Sequence, residues 1–303
     1  MVENIETRIR KLKAARRAVI LAHNYQLAEV QAIADFTGDS LELARQATKV
    51  EAEVIVFCGV SFMAETAKIL NPDKTVLLPD PHAGCPMADM ITAEQLRALK
   101  QQHPRAKVVC YVNSTAEVKA ETDVCCTSSN AAAIVRALKD AEEIIFVPDQ
   151  YLGQHVIDQT GREMILWNGY CPTHMRISER DIARLRQEHP EAIVMVHPEC
   201  SGPVKAAADQ VLSTGGMCRF AHASPAREFI VGTEVGILYR LGKENPDKRF
   251  YPATDRAVCP NMKSITMEKV LWSLERMEPT VTVPEDVRRR AQASLERMLN
   301  LVE

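Results

Sequence analysis

The dipeptide Cys-Pro occurs three times in this chain, and its spacing constrains the fold more than any other feature. The copies are Cys85-Pro86, Cys171-Pro172 and Cys259-Pro260, separated by 86 and 88 residues. The segments before the first and third copies, "NPDKTVLLPDPHAGCP" and "NPDKRFYPATDRAVCP", begin alike and reach the cysteine in the same number of steps. Self-similarity at a long, fixed period indicates repeated structural units.

The order of predicted elements is the same in all three copies. A helical stretch follows each Cys-Pro, and each copy also contains a short apolar run, a small-hydroxyl cluster that opens a possible helix, and a second apolar run, in that order. The first apolar runs are "AVILAHNY", "KVVCYVN" and "AIVMVHPE". Such runs, alternating with amphipathic helices, predict βαβ units and parallel strands. A strand-like run also precedes each cysteine, so we expect roughly three strands in each copy.

We therefore predict an α/β fold of three similar three-layer αβα units with small parallel sheets, arranged with pseudo-threefold symmetry around a central cavity. The predicted units cover residues 1–90, 91–176 and 177–303, and the last includes C-terminal helices outside the triplication. A solenoid is the alternative repeat architecture, but a period of about 87 residues exceeds the common solenoid units.

Charge and apolar patterning exclude several classes of partner. A net charge of −3 without a basic run gives no indication of binding to nucleic acid or to an anionic membrane. The N-terminal segment is charged and lacks the apolar stretch of a signal peptide, and no run has the length of a membrane span. We expect a cytoplasmic protein. Nine cysteines without a secretion signal argue against a disulfide framework.

The three repeated cysteines are candidate metal ligands. If the units meet around one axis, their strand ends face one cavity and the three thiolates converge. Structural zinc takes four ligands, so three thiolates favour an iron–sulfur cluster in which one iron lacks a protein ligand and can act as a Lewis acid. The alternative is that these cysteines are structural and merely follow the duplication. Redox chemistry at the adjacent pair Cys125-Cys126 is a separate hypothesis.

Polar residues at equivalent positions are candidates for the rest of the site. Each first strand ends on a polar ring, with another polar residue two positions later. The pairs are His23 and Tyr25, Tyr111 and Asn113, and His197 and Glu199. Along an extended chain, residues i and i+2 point the same way, so each pair could supply acid, base or hydrogen-bonding groups.

Three hydroxyl residues, Ser40, Ser128 and Thr214, stand at or near predicted helix starts. Helix N-termini with free amides bind carboxylate or phosphate. For each hydroxyl alone, a simple N-cap is the alternative, as a structural histidine is for His23 or His197. His174, three residues after Cys171, has no equivalent in the other copies.

These residues, in this order, resemble the quinolinate synthase family from end to end. The matching stretches are "LAHNYQ", "DFTGDSLELA", "FCGVSFMAE", "YVNSTAEVKA", "CTSSNA", "WNGYC", "HPEC" and "VGTE", together with the three cysteines. The resemblance implies a three-domain fold around a 4Fe-4S cluster held by Cys85, Cys171 and Cys259. It also implies condensation of iminoaspartate with dihydroxyacetone phosphate, yielding quinolinate, phosphate and two waters in NAD biosynthesis.

The resemblance further implies roles for individual residues. The implied substrate-binding residues are His23, Ser40, Tyr111, Asn113, Ser128, His197, Glu199 and Thr214. We expect His197 and Glu199 to transfer protons, and Tyr25 and Tyr111 to position intermediates. The expected partners are the two small substrates, with a functional link to the enzyme that makes iminoaspartate. The alternatives are another open-iron hydro-lyase acting on a small dicarboxylate, and a non-catalytic iron–sulfur or zinc protein.

Overall fold

The first repeat forms a sheet of four parallel strands in the computed structural model, which describes residues 4–301. Its strands are β1 (Ala18–His23), β2 (Phe36–Gly38), β3 (Val54–Cys58) and β4 (Thr75–Leu77). Its helices are α1 (Ile5–Ala15), α2 (Ala28–Ile33), α3 (Ser40–Lys49) and α4 (Ser61–Leu70). The strand order is β2-β1-β3-β4. Helices cover the sheet, and β3 is buried along its whole length, as its unbroken apolar run predicts.

The second repeat builds the same sheet. Its strands are β5 (Ala106–Tyr111), β6 (Val124–Cys126), β7 (Glu143–Val147) and β8 (Ile165–Leu166), in the order β6-β5-β7-β8. Its helices are α5 (Ala93–Gln102), α6 (Ala116–Ala120), α7 (Ala131–Ala137) and α8 (Gln150–Thr160). The hydrophobic strand β6 carries Cys125 and Cys126, and both are fully buried free thiols.

The third repeat again has the same order. Its strands are β9 (Ile193–Val196), β10 (Gln210–Val211), β11 (Glu228–Gly232) and β12 (Arg249–Pro252), in the order β10-β9-β11-β12. Its helices are α9 (Glu179–Glu188), α10 (Gly202–Ala206), α11 (Thr214–Ala223) and α12 (Ile237–Glu244). The predicted α/β fold of three similar units with small parallel sheets is confirmed.

Each sheet has one strand more than the roughly three predicted. The additional strands, β2, β6 and β10, have only two or three residues and lie at sheet edges. An aspartate before each holds it in place. The carboxylates of Asp35, Asp123 and Asp209 accept a backbone N–H from the neighbouring central strand at 2.8, 2.9 and 2.8 Å. The pairing of these short strands depends on an aspartate side chain, so no long apolar run indicates them in the sequence.

Three further helices follow the third sheet: α13 (Pro260–Lys263), α14 (Met267–Arg276) and α15 (Glu285–Leu301). Helix α14 packs on α1 and β3 of the first unit. Helix α15 packs on α6 and β6 of the second unit and on α4 of the first. Its buried residues, Val287, Ala291, Leu295 and Met298, form one stripe at helical spacing. The C-terminal helices therefore tie the first two units together.

The hydrophobic clusters show the same grouping of the units. The first and second units share one large cluster with α14 and α15. The third unit buries two clusters of its own, which lie on opposite faces of its sheet because they take alternate residues of β9 and β11. Between residues 4 and 301, no helix is long and apolar enough to cross a membrane.

Candidate active site

One cavity receives side chains from all three units. Its wall contains every residue proposed for the site from the sequence: His23, Tyr25, Ser40, Cys85, Tyr111, Asn113, Ser128, Cys171, His197, Glu199, Thr214 and Cys259. The cavity lies beyond the carboxyl ends of β1, β5 and β9, the strands on which His23 and Tyr111 are last and which His197 follows. In each sheet the strand order reverses beside this strand, which is where open α/β sheets bind ligands.

The three Cys-Pro turns have the same backbone geometry. In each, the cysteine carbonyl accepts the N–H of the fourth residue along, at 3.2, 3.1 and 3.2 Å for Cys85, Cys171 and Cys259. A short helical turn follows, and the amide of the third residue along also points at the sulfur. Backbone amides aimed at sulfur favour the thiolate, the form that binds metal.

Burial opposes that ionisation. It raises the pKa of Cys85 to about 12 and the pKa of Cys171 well above its usual value, and the cysteines raise one another's pKa by charge repulsion. Without a cation these groups are neutral thiols. A metal that binds them must therefore displace their protons.

The three sulfurs do not all lie as close together as the ligands of a single ion. Around a single zinc ion, sulfurs lie about 3.8 Å apart because each Zn–S bond is about 2.3 Å. Among the described residues, the group whose potential ligand atoms all lie within 4.8 Å of one another is Cys171, His174 and Glu199, without Cys85 or Cys259. The three cysteines share one cavity but do not crowd together as ligands of a single ion would.

His23 and His197 are held in the same way in the first and third units. The backbone N–H of Tyr25 donates to His23 Nδ1 at 3.2 Å, and that of Glu199 donates to His197 Nδ1 at 3.3 Å. The backbone therefore turns after each of these histidines, whereas the sequence pattern predicted that it continues as an extended strand. Because Nδ1 accepts, the neutral ring carries its proton on Nε2. Burial lowers the pKa of both rings to about 3.

Glu199 lies at the centre of a set of short contacts. Tyr111 donates its hydroxyl to Glu199 Oε1 at 2.6 Å. His174 Nδ1 lies 2.8 Å from Oε2, although their alignment falls short of a hydrogen bond. Burial alone would raise the pKa of Glu199, but the neighbouring His174 and the Tyr111 hydroxyl outweigh it and hold the pKa well below its usual range. Glu199 is thus an ionised carboxylate inside the protein.

The contacts continue from His174 to Tyr25. His174 Nε2 lies 2.8 Å from Thr233 Oγ1, which lies 2.6 Å from the Tyr25 hydroxyl. Burial raises the pKa of Tyr25 and Tyr111 well above the usual value, so both keep their protons. A chain of polar atoms therefore joins the two tyrosines through Glu199.

Two of the three hydroxyl residues lie at helix starts, whereas Ser128 lies three residues before α7. Ser40 is the first residue of α3 and Thr214 the first of α11, whereas the N-caps are Asp39 and Ser213. Thr214 accepts from the Asn24 side chain at 2.9 Å. Ser128 lies 3.2 Å from His197 Nε2. These hydroxyls line the cavity rather than capping their helices.

The comparisons with known proteins identify the family of this chain. The model of one protein family, described as quinolinate synthetase A protein, matches residues 7–300. The chain belongs to the quinolinate synthetase A family. It is therefore an enzyme, and the resemblance drawn from the sequence is confirmed.

Similar members of the family come from distant microorganisms. Proteins named quinolinate synthase from Dehalococcoides mccartyi (strain CBDB1), Thermodesulfovibrio yellowstonii and Methanosarcina barkeri are 58%, 55% and 53% identical to this chain. The alignments cover 99%, 100% and 96% of this chain and the same shares of those proteins.

In this family member a buried ion pair supports the Cys259 turn. Glu234 Oε1 accepts the backbone N–H of Cys259 at 3.1 Å and lies 3.0 Å from Lys263 Nζ. Lys263 also donates to the backbone carbonyl of Tyr25, in the first unit. Gly236 fits between them, because a Cβ there would lie 2.5 Å from Lys263 Nζ and 2.7 Å from the Tyr25 carbonyl oxygen.

Sequence reasoning missed Thr233 and Glu234 and left His174 without a role. Thr233 and Glu234 stand in the "VGTE" stretch, directly after β11. This strand lies beside β9 at the point where the strand order reverses. Because ligands bind at such points, the residues after the strand could have been predicted as site residues. His174 has no repeat equivalent, and only its contacts with Glu199 and Thr233 show why it matters.

Proposed function

We propose that this enzyme is a quinolinate synthase that condenses iminoaspartate with dihydroxyacetone phosphate, giving quinolinate, phosphate and two waters for NAD biosynthesis. The observation that carries the proposal is the convergence of three cysteines, one ionised carboxylate and two neutral histidines on one cavity. The names of the similar proteins support the same product.

We propose that Cys85, Cys171 and Cys259 hold a 4Fe-4S cluster. Three partly buried thiols from three separate turns, which do not all lie as close together as ligands of a single ion, suit such a cluster. With three protein ligands, one iron stays open to a substrate and supplies Lewis-acid assistance to loss of water. Zinc held by all three sulfurs at once does not fit their spacing.

The polar wall suits the proposed substrates, which carry two carboxylates and one phosphate. Ser40 and Thr214 present hydroxyls at the first turns of α3 and α11, and these can donate to carboxylate or phosphate oxygens. His23 and His197 are neutral and can donate from Nε2 to substrate oxygens. Asn113 has a buried side-chain oxygen without a hydrogen-bond partner, which a substrate N–H or O–H can satisfy.

We assign proton transfer to Glu199. As an ionised carboxylate beside Tyr111, it can accept a proton from a substrate carbon or nitrogen. Beside it, His174 contacts Thr233, which contacts the Tyr25 hydroxyl, so polar groups surround Glu199 on this side of the cavity. The Tyr25 hydroxyl can orient an intermediate by a hydrogen bond, and Tyr111, which donates its proton to Glu199, can accept one.

The test is an anaerobic assay of reconstituted enzyme with dihydroxyacetone phosphate and with iminoaspartate made in place from oxaloacetate and ammonia. We expect quinolinate and phosphate in equal amounts. Dehydration of a small dicarboxylate without phosphate release would instead identify a hydro-lyase. Iron and sulfide without either reaction would identify a carrier.

Other expectations stay predictions. They are the pseudo-threefold arrangement, the unit boundaries at residues 90 and 176, the cytoplasmic location and the functional link to a supplier of iminoaspartate. The substrates are small molecules, and we propose no partner among nucleic acids or membranes.

A further inference from the structure

Three side chains of the cavity are arranged as ligands of a single metal ion. Cys171, His174 and Glu199 each offer a ligand atom, and these atoms all lie within 4.8 Å of one another. Cys171 and His174 are joined by a short turn of the chain, while Glu199 comes from the loop after β9. Two different units therefore build this group.

The surroundings of His174 resemble those of a metal-binding histidine. Its Nε2 contacts Thr233 Oγ1 at 2.8 Å, whereas its buried Nδ1 makes no well-aligned hydrogen bond, although Glu199 Oε2 lies 2.8 Å away. In metal sites the nitrogen that does not bind the ion donates its proton to an oxygen in this way, which fixes the ring and leaves the other lone pair free. Here the free side of the ring faces Glu199 and Cys171.

Glu199 has one oxygen available for an ion. Hydrogen bonds from Tyr111 and Asn113 both end on Oε1, and Oε2 faces His174 Nδ1 at 2.8 Å. Around tetrahedral zinc, nitrogen and oxygen ligands lie about 3.3 Å apart, so these two atoms need to separate by only about half an ångström.

Charge also favours a divalent cation here. A thiolate, a carboxylate and a neutral imidazole carry two negative charges, which a divalent ion neutralises in a buried site. The side chains of His174 and Glu199 are almost fully enclosed and Cys171 is partly buried, so an uncompensated charge would be costly. Zinc commonly takes three such protein ligands and leaves a fourth position open.

We propose that this chain, before its cluster is built, binds one zinc ion through Cys171, His174 and Glu199. Because Cys171 is also a ligand of the proposed cluster, the zinc ion and the cluster exclude one another. The exclusion rests on the proposed function, but binding of the ion does not.

The test uses cobalt as a spectroscopic probe for zinc. Metal-free protein is titrated anaerobically with cobalt, and thiolate-to-cobalt charge transfer and tetrahedral ligand-field bands are recorded. We expect one ion per chain, unchanged affinity in Cys85→Ser, and loss of the charge-transfer band in Cys171→Ser. His174→Gln and Glu199→Gln should each weaken cobalt binding at least 10-fold. Because both variants are measured, misfolding of one does not decide the result.

In cluster assembly, the His174 and Cys85 variants should rank in the opposite order. With iron and sulfide, His174→Gln should assemble the cluster, while Cys85→Ser should not. Zinc added first should block assembly in the parent chain but not in His174→Gln, as measured by bound iron and sulfide.

Several results would overturn the inference. Cobalt lost in Cys85→Ser but kept in His174→Gln would place the ion among the three cysteines. Equal affinity in all variants would place it elsewhere on the protein. If cobalt binds as expected but no variant, nor the parent, assembles a cluster, the proposed function fails while the ion site stands.

Discussion

The turn at Cys171 and the turns at Cys85 and Cys259 begin alike and end differently. All three have proline after the cysteine and the same carbonyl-to-amide hydrogen bond, at 3.1 to 3.2 Å. Three residues after Cys171 stands His174, whereas the other two turns have Ala88 and Met262 there. Repetition placed three equivalent sulfurs around the cavity, and divergence at one position added a buried base to one of them.

The neighbours of the turns differ accordingly. His174 links the Cys171 turn to Glu199 and, through Thr233, to Tyr25. The Cys259 turn is instead anchored by the Glu234–Lys263 ion pair. In our proposal, equivalent positions share a role in holding metal and have separate roles in the chemistry. Four changes test this division.

Serine in place of any one of the three cysteines should have the largest effect. Because each sulfur holds one iron in the proposed cluster, we expect Cys85→Ser, Cys171→Ser and Cys259→Ser to lose bound iron and sulfide almost completely. Anaerobic metal and sulfide analysis measures this. Cys218→Ala, at a buried thiol away from the cavity turns, is the control and should keep the cluster. One serine variant with a full cluster would break the equivalence of the turns.

Glu199→Gln should separate chemistry from metal binding. The amide keeps the size of the side chain but cannot accept a proton, so we expect turnover to fall by about 10²- to 10⁴-fold while the cluster's absorbance is retained. Steady-state quinolinate formation and iron content measure the two effects. Loss of the cluster in this variant would mean that Glu199 is structural.

Gly236→Ala should disturb the anchor of the Cys259 turn. The new Cβ would lie 2.5 Å from Lys263 Nζ and 2.8 Å from Glu234 Oε2, so we expect a loss of about 1–3 kcal/mol in stability. The matched control is Gly242→Ala on α12, where a Cβ meets nothing within 4 Å and should stabilise the helix by about 0.5–1 kcal/mol. Thermal unfolding compares them, and equal melting temperatures would contradict the anchor.

His23 and His197 should have equal effects on pH dependence. Burial lowers the pKa of each from 6.5 to about 3, so unfolding takes up protons between these values and stability falls as the pH falls through this range. In metal-free protein, His23→Asn or His197→Asn should each remove about one proton, or about 1.4 kcal/mol per pH unit, from the slope near pH 5. Denaturant unfolding at several pH values measures it. Unequal slopes would show that the two copies differ.

Much of the fold could be predicted because the apolar runs and the spacing of the cysteines show the repeat. The edge strands β2, β6 and β10 could not, because they are two or three residues long and depend on Asp35, Asp123 and Asp209. Helix α15 follows a clear apolar stripe, but which units it joins is not encoded in that stripe.

The sequence by itself determined the three units and which residues lie at strand ends, because local periodicity and repetition specify both. It also contained the family membership, since matching stretches run along the whole chain. Only the tertiary structure decided that His174 and Thr233 connect Glu199 to Tyr25, and that Glu234 supports Cys259. The first set of contacts joins residues from all three units, and the last joins distant parts of the third, so their distances depend on tertiary packing rather than on any local pattern.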